Sequence, residues 1–379
     1  MRNLNYLDQV RVEFPDLANR TYLASCSSGA RSKSVMNAVE RYFQTWSEWG
    51  NPWEIWIEEV ENTKTSFAKL ISANPEEIAI GGSVSDLTNG LLTGMNYDGR
   101  SGIITTGLDF PTIDYIMIAQ RKRGAEVVVI PPQDGQISIS DYERVIDNNT
   151  KLVNIVHVSS LNGYKQDIKP ICDLAHANGA LTLVDAYQSI GSIPLDVKKL
   201  DIDFLVTGTL KYTLGMSGTA LMYVKADLLS ELEPFATGWL GQEEPASFGA
   251  EKLRYPKGAS RFQTGTFAIP SAYASRAGID LVSSHDLNVI HSRVTELTRY
   301  ATDRCLSADL PLNSPKEDGC RGPLVSIKCG NAHDLELKLR KKGVLTSARG
   351  DGLRLSFHFY NSKSDVDVAL DAIKPLLKD

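Results

Sequence analysis

The stretch Asp203-Phe-Leu-Val-Thr-Gly-Thr-Leu-Lys211-Tyr-Thr-Leu-Gly215 reads as a buried strand ending in a Gly/Thr-rich turn that presents one lysine. Upstream, Leu181-Thr-Leu-Val-Asp185 is a second apolar run that ends on a carboxylate, followed by Ala186-Tyr187-Gln188. Neither run alternates polar and apolar side chains. Short, nearly continuous runs of Val, Ile and Leu are the pattern of strands covered on both faces, as in a mostly parallel sheet.

Outward from this pair the same rhythm recurs. Ile78–Gly81, Gly102–Thr105, Glu126–Ile130, Leu152–Ser159, Phe204–Thr207 and Thr219–Val224 read as further strands. Helical segments lie between them, such as Ile168–Asn178, with Pro170 at its start and Gly179 just past its end. This alternation predicts an α/β fold, a doubly wound, mostly parallel sheet with helices on both faces. Helices over Ser34–Trp49 and Trp56–Ile71 precede it. Beyond about Tyr255 the pattern changes: Ser271–Ser284, Asn288–Leu306, Ala332–Lys341 and Ser362–Leu377 read as helices flanking the short strands Leu324–Lys328 and Leu353–Ser356. The expected organisation is an N-terminal segment (1–20) packing with a small domain, a large α/β domain (21–255), and a smaller α+β C-terminal domain (256–379).

The bulk composition narrows the chemistry. With 379 residues, 42% hydrophobic and 23% charged, the chain suits a soluble globular protein of this size. Its net charge of −6 argues against a nucleic-acid partner, which needs a basic surface. Five scattered cysteines without CxxC spacing and six histidines without HExxH predict neither a disulfide framework nor a metal. No apolar run reaches membrane-spanning length, so a cytoplasmic protein with no membrane partner is expected.

In open α/β sheets ligands bind beyond the carboxyl ends of the strands, and the candidate residues gather there. Gly81-Gly82-Ser83-Val84-Ser85-Asp86 follows a strand and opens a helix, which suits either an anion held by N-terminal N–H groups or a plain helix cap. Phe110 follows another strand and could stack on a flat ring or belong to the core. His157-Val-Ser159-Ser160 ends a third strand, and His157 reads as a satisfied strand histidine more readily than as an acid. Asp185 with Gln188, and Lys211 with Thr209 as a further phosphate donor, complete the sheet's contribution. Later, Arg261…Thr264-Gly265-Thr266 sets a hydroxyl beside a glycine, and Ser347-Ala-Arg349…Arg354 offers two guanidinium groups for a substrate carboxylate. An acid and a lysine at neighbouring strand ends are what pyridoxal phosphate (PLP) requires: the amine holds its aldehyde as a Schiff base, and the carboxylate keeps its ring nitrogen protonated.

In order and spacing, Asp185-Ala-Tyr-Gln188, the Lys211 turn, Arg261…Gly265-Thr266 and Arg354…Tyr360-Asn361 resemble the class V aminotransferase family over essentially the whole chain. That family includes cysteine desulfurases, C–S lyases, kynureninase and isopenicillin N epimerase-like proteins. The resemblance implies a PLP-dependent fold type I enzyme, homodimeric, with the active site at the subunit interface. It implies that Lys211 carries the cofactor, Asp185 pairs with the ring nitrogen and Gln188 with the phenolic oxygen. By the same match, Val84 and Ser85 hold the phosphate, Gly265 and Thr266 reach that of the partner subunit, Phe110 stacks on the ring, Ser160 lies alongside, and Arg354 binds the substrate carboxylate. Arg349 is the next candidate for that last role.

Three departures stand out. Leu210 replaces the histidine that many relatives carry before the lysine, so that phosphate contact must come from elsewhere. Ser160 replaces an asparagine. Desulfurases place a nucleophilic cysteine shortly before the carboxylate arginine, whereas Leu345–Arg354 contains none. Cys26 sits where relatives place substrate-side residues, and a buried structural thiol is the expected reading. The expected activity is therefore amino transfer on a small α-amino acid. A cysteine desulfurase-like or C–S β-lyase reaction, an epimerase, and a non-catalytic PLP-binding protein are the alternatives.

Overall fold

The computed structural model describes residues 6–247 and 251–377. Its strands, in chain order, are β1 (Thr21–Tyr22), β2 (Ile78–Gly81), β3 (Gly102–Thr106), β4 (Glu126–Ile130), β5 (Thr150–Val156), β6 (Leu181–Asp185), β7 (Phe204–Gly208), β8 (Ala220–Val224), β9 (Leu324–Lys328), β10 (Val344–Leu345), β11 (Ser347–Arg349) and β12 (Gly352–Ser356). A seven-stranded sheet runs in the order β2-β8-β7-β6-β5-β3-β4. Its pairs from β7 across to β4 are parallel, and β8 runs against both of its neighbours. β3, β7 and β8 are buried at every position, which explains why their sequences read as nearly continuous apolar runs without alternation.

Helices cover the sheet: α1 (Tyr6–Arg11), α2 (Lys33–Trp49), α3 (Trp53–Leu70), α4 (Val84–Thr93), α5 (Pro111–Ala119), α6 (Ile139–Glu143), α7 (Ile168–Ala177) and α8 (Ile269–Ser283). α8 packs on α2 and α3, and its Ile269, Ala272 and Ile279 join the large-sheet core. The expected strand Leu152–Ser159 stops at Val156. Beyond it the chain doubles back through Gly163 (φ +76°), with the Ser159 N–H donating to Tyr164 O, so His157 and Ser160 stand on a loop.

A second layer holds the antiparallel sheet β11-β12-β9 and the parallel pair β1-β10, covered by α9 (Leu287–Leu306), α10 (Ala332–Lys341) and α11 (Lys363–Leu376). Its core includes Leu23, Leu297, Ile327, Leu339, Leu355 and Ile373. Sequence reading missed β1, β10 and β11, each only two or three residues long. The segment ahead of Arg354 is thus a hairpin, β11–β12, turning at Gly350 (φ +56°), a left-handed conformation that favours glycine. Arg11 ties α1 to this layer through Tyr360 O (3.1 Å) and Asp365 (3.0 Å).

Candidate active site

β7 ends at Gly208, and the following turn closes on itself: Gly215 N–H donates to Thr209 O (2.8 Å) and the Thr213 hydroxyl to the same oxygen (2.7 Å). The turn holds Lys211 partly buried at the carboxyl edge of the sheet. Among the described residues its Nζ makes no hydrogen bond or ion pair. It lies 4.0 Å from the centroid of the Tyr187 ring and 5.7 Å from that of Phe110. Burial lowers its pKa to about 8 against the pull of Asp185, with Arg354 and Arg349 adding to the fall.

Asp185, the last residue of β6, is 5% exposed. Its Oδ1 accepts from Tyr187 N–H (2.9 Å), while burial raises its pKa. Gln188 is 4% exposed; its Nε2 donates to Cys26 O (3.0 Å), and its Oε1 is buried without a partner. Phe110 caps α5, and the turn before it is fixed by Asp109, whose carboxylate accepts from Thr105, Thr106 and Asn154. Burial pushes the Asp109 pKa up to about 7.

These groups surround a cavity of ≈ 360 Å³. Val84, Ser85, Phe110, Ser160, Asp185, Gln188, Lys211 and Arg349 all line it. α4 begins there, with the Ser83 hydroxyl accepting from Asp86 N–H (3.1 Å), so the unpaired N–H groups of its first turn and their dipole favour an anion.

Other nominated residues stand elsewhere. Thr209 does not line the cavity: its hydroxyl is bonded to Met216 O (3.0 Å) and Ser275 Oγ (2.7 Å). Gly265 and Thr266 are exposed and line an adjoining hollow that shares Gly82, Gly218 and Thr219 with the main one. Arg354 is 0% exposed, donating to Ser160 O (2.7 Å), Ser347 O (3.3 Å) and Ser347 Oγ (2.6 Å). Arg349, across the hairpin, faces the cavity with its guanidinium 5.7 Å from the Phe110 ring centroid. His157 is buried against Ser189 (2.8 Å) and held neutral, its pKa lowered to about 3 by burial. Cys26, 1% exposed, does line the cavity, as do Ser27, Ser217 and Thr219, which sequence reading passed over. The signal available for the last two was the small-residue run Ser217-Gly-Thr219 beside a strand start.

The family model for aminotransferase class-V matches residues 21–369. The chain belongs to the class V aminotransferase family. It is 37% identical over 366 residues to the "Uncharacterized aminotransferase YcbU" of Bacillus subtilis (strain 168), covering 97% of each chain. Over 271 residues it is 31% identical to a cysteine desulfurase of Haloferax volcanii, covering 67% of this chain and 62% of that one. The apo cysteine desulfurase of Thermococcus onnurineus NA1 shares its fold, with a TM-score of 0.89 at 23% identity over 100% of both chains. The fold is therefore that of PLP-dependent fold type I enzymes.

The cavity fits the cofactor of this class V family, pyridoxal phosphate. Gln188 Oε1, buried without a partner, matches the ring's hydroxyl; leaving such an atom bare costs about 1–3 kcal/mol. Asp185 has an oxygen that takes no donor among the described residues, which suits a protonated ring nitrogen. Lys211 is unpaired among the described residues, Phe110 and Tyr187 offer flat faces, and α4 offers an anion site. The chain is a PLP-dependent enzyme.

Proposed function

We propose that this protein is an aminotransferase acting on a small α-amino acid. The observation that carries the reading is the unpaired Lys211 amine, depressed to about pH 8, in one cavity with a buried carboxylate. Lys211 would hold the cofactor, Asp185 its ring nitrogen, Gln188 its phenolic oxygen, Phe110 a face of the ring, and Val84 N–H with Ser85 its phosphate. Ser160 lines the same wall. Gly265 and Thr266 lie on an exposed loop, suited to reaching the site of a second copy in a homodimer.

When bound, the cofactor supplies an electron sink for the pair released as the substrate's Cα–H bond breaks. Lys211 Nζ, neutral in a useful fraction at neutral pH, takes the Cα proton and can return it. Asp185 would set its carboxylate against the ring nitrogen and favour its protonated form. Arg349, unpaired and facing the cavity, receives the substrate carboxylate, while Arg354 fastens the hairpin to the Ser160 loop. The largely apolar wall of Val156, Val158, Ile113 and Leu210 excludes water beside the reacting carbon.

A C–S lyase is the second reading, favoured by Cys26 in the cavity wall. Its backbone is pinned on both sides, N–H to Ser356 Oγ (2.9 Å) and C=O to Gln188 (3.0 Å), whereas persulfide carriage needs a mobile thiolate. A screen of α-amino acids with 2-oxo-acid acceptors, scoring oxo-acid, sulfide and pyruvate release, tests the choice. New amino acid formed from the acceptor is expected, and sulfide release without amino transfer would overturn the reading.

A further inference from the structure

The lysine turn offers the phosphate end of the cavity no free side-chain donor. Leu210 has none where many relatives carry histidine, and Thr209 has spent its hydroxyl on Met216, Thr219 and Ser275. We propose that the Tyr187 hydroxyl supplies the missing contact to the cofactor's phosphate. The proposal rests on the PLP reading and adds to it a role for the hydroxyl of Tyr187, of which only the ring face has been used so far.

Three observations carry it. First, the phenol lies over the end of β7: a Cβ built on Gly208 would fall 2.1 Å from both Tyr187 Oη and Cζ. Glycine at 208 is what lets the phenol lie there, and the hydroxyl fills the space that a side chain would otherwise occupy.

Second, the register aims this place at the anion site. Gly208 pairs with Ala220, and Ala220 with Gly81, so the three lie in one row across β7, β8 and β2. Adjacent strands are about 4.8 Å apart, so Gly208 stands roughly 10 Å from Gly81. Just after Gly81 the chain turns through Ser83 into α4, whose Val84 and Ser85 line the same cavity as Tyr187. A phosphate takes charge-assisted donors at about 2.7–2.9 Å, so one group can meet both sides of that gap.

Third, Tyr187 is partly buried and lines the cavity, and its Oη makes no hydrogen bond among the described residues, so it is free to donate to a group bound there. The Tyr187 backbone N–H is already bonded to Asp185 (2.9 Å), and its ring underlies Lys211 Nζ at 4.0 Å. Backbone and ring are thus fixed, and the hydroxyl is left over. Burial pushes its pKa up to about 12, so it remains a donor through the working pH range.

The test titrates apo-protein with PLP and, separately, with pyridoxal, which lacks the phosphate. Tyr187→Phe should weaken PLP binding about tenfold or more, the worth of one hydrogen bond to a charged group, and leave pyridoxal binding within about twofold. Gly208→Ala, which displaces the phenol without removing it, should show the same phosphate-selective loss. Adding Leu210→His to Tyr187→Phe should restore PLP affinity. Equal losses for both ligands, or no loss for PLP in either single variant, would overturn the proposal. A wild-type protein that takes up neither ligand would instead sink the cofactor reading itself.

Discussion

Replacing Arg349 and Arg354 by lysine, one at a time, separates substrate binding from structure. Arg349 faces the cavity and makes no ion pair among the described residues, so its substitution should act on the substrate alone. A guanidinium grips a carboxylate with two parallel hydrogen bonds, and lysine keeps one at best. A charged hydrogen bond is worth ~1.5–3 kcal/mol, roughly 10–150-fold in affinity. Arg349 is solvent-exposed, which screens the contact, so Arg349→Lys should raise KM by about tenfold, with an unchanged melting temperature. Arg354 is fully buried and satisfies three acceptor contacts with Ser160 and Ser347. Lysine would leave about two of them bare, at ~1–3 kcal/mol each, so Arg354→Lys should lose about 2–6 kcal/mol of stability. Steady-state kinetics and thermal unfolding read the two effects. A large KM rise in Arg354→Lys with unchanged stability, beside a normal KM in Arg349→Lys, would refute the reasoning and put the carboxylate on Arg354.

Other outcomes follow from the same geometry. Borohydride reduction of the holoenzyme should fix the cofactor's mass on the peptide containing Lys211, and Lys211→Ala should yield no such peptide. Because a lowered pKa leaves the amine neutral at lower pH, cofactor uptake by the apo-protein should rise through about pH 8 and then level off; a rise continuing past pH 10 would mean an ordinary lysine. Asp185→Asn should retain fold and cofactor but lose about 10–150-fold in turnover, the worth of one charged hydrogen bond; near-normal turnover would remove Asp185 from the ring nitrogen. Changing all five cysteines to serine should leave the reaction largely intact, whereas selective loss on changing Cys26 alone, with cofactor still bound, would put sulfur transfer first.

The central sheet was legible because burial on both faces leaves an unmistakable apolar run, and the strand ends then located Lys211, Asp185 and Val84 together. Side-chain direction was not. Arg349 and Arg354 lie five residues apart on the two arms of one hairpin, and the register, with Ser347 opposite Arg354 and Arg349 opposite Gly352, puts both on the same face; only the packing, which buries Arg354 against Ser160 and leaves Arg349 at the open tip, decides which enters the cavity. Short strands such as β1 and β10 leave no periodic trace, since two residues cannot show a period. Thr209 looked like a phosphate donor by its place beside the lysine, but its hydroxyl is taken up by Met216, Thr219 and Ser275 while its carbonyl closes the turn that presents that lysine. Tyr187 was visible as a letter in a motif; the space made for it by Gly208 is a property of the folded sheet.

The pairing of β1 with β10 has a consequence for the newly made chain. Leu23 N–H donates to Leu345 O, Ser356 N–H to Leu23 O, and Cys26 N–H to Ser356 Oγ. Cys26 and Ser27, made more than 300 residues before their support, form a wall of the cavity only once residues near 345 and 356 have followed. Synthesis runs at about 5–20 residues per second, so that wall waits tens of seconds for its support. The large sheet can assemble in the meantime. A chain stopped shortly before β10 would therefore carry Lys211 and Asp185 on a folded sheet, with one side of their cavity unsupported.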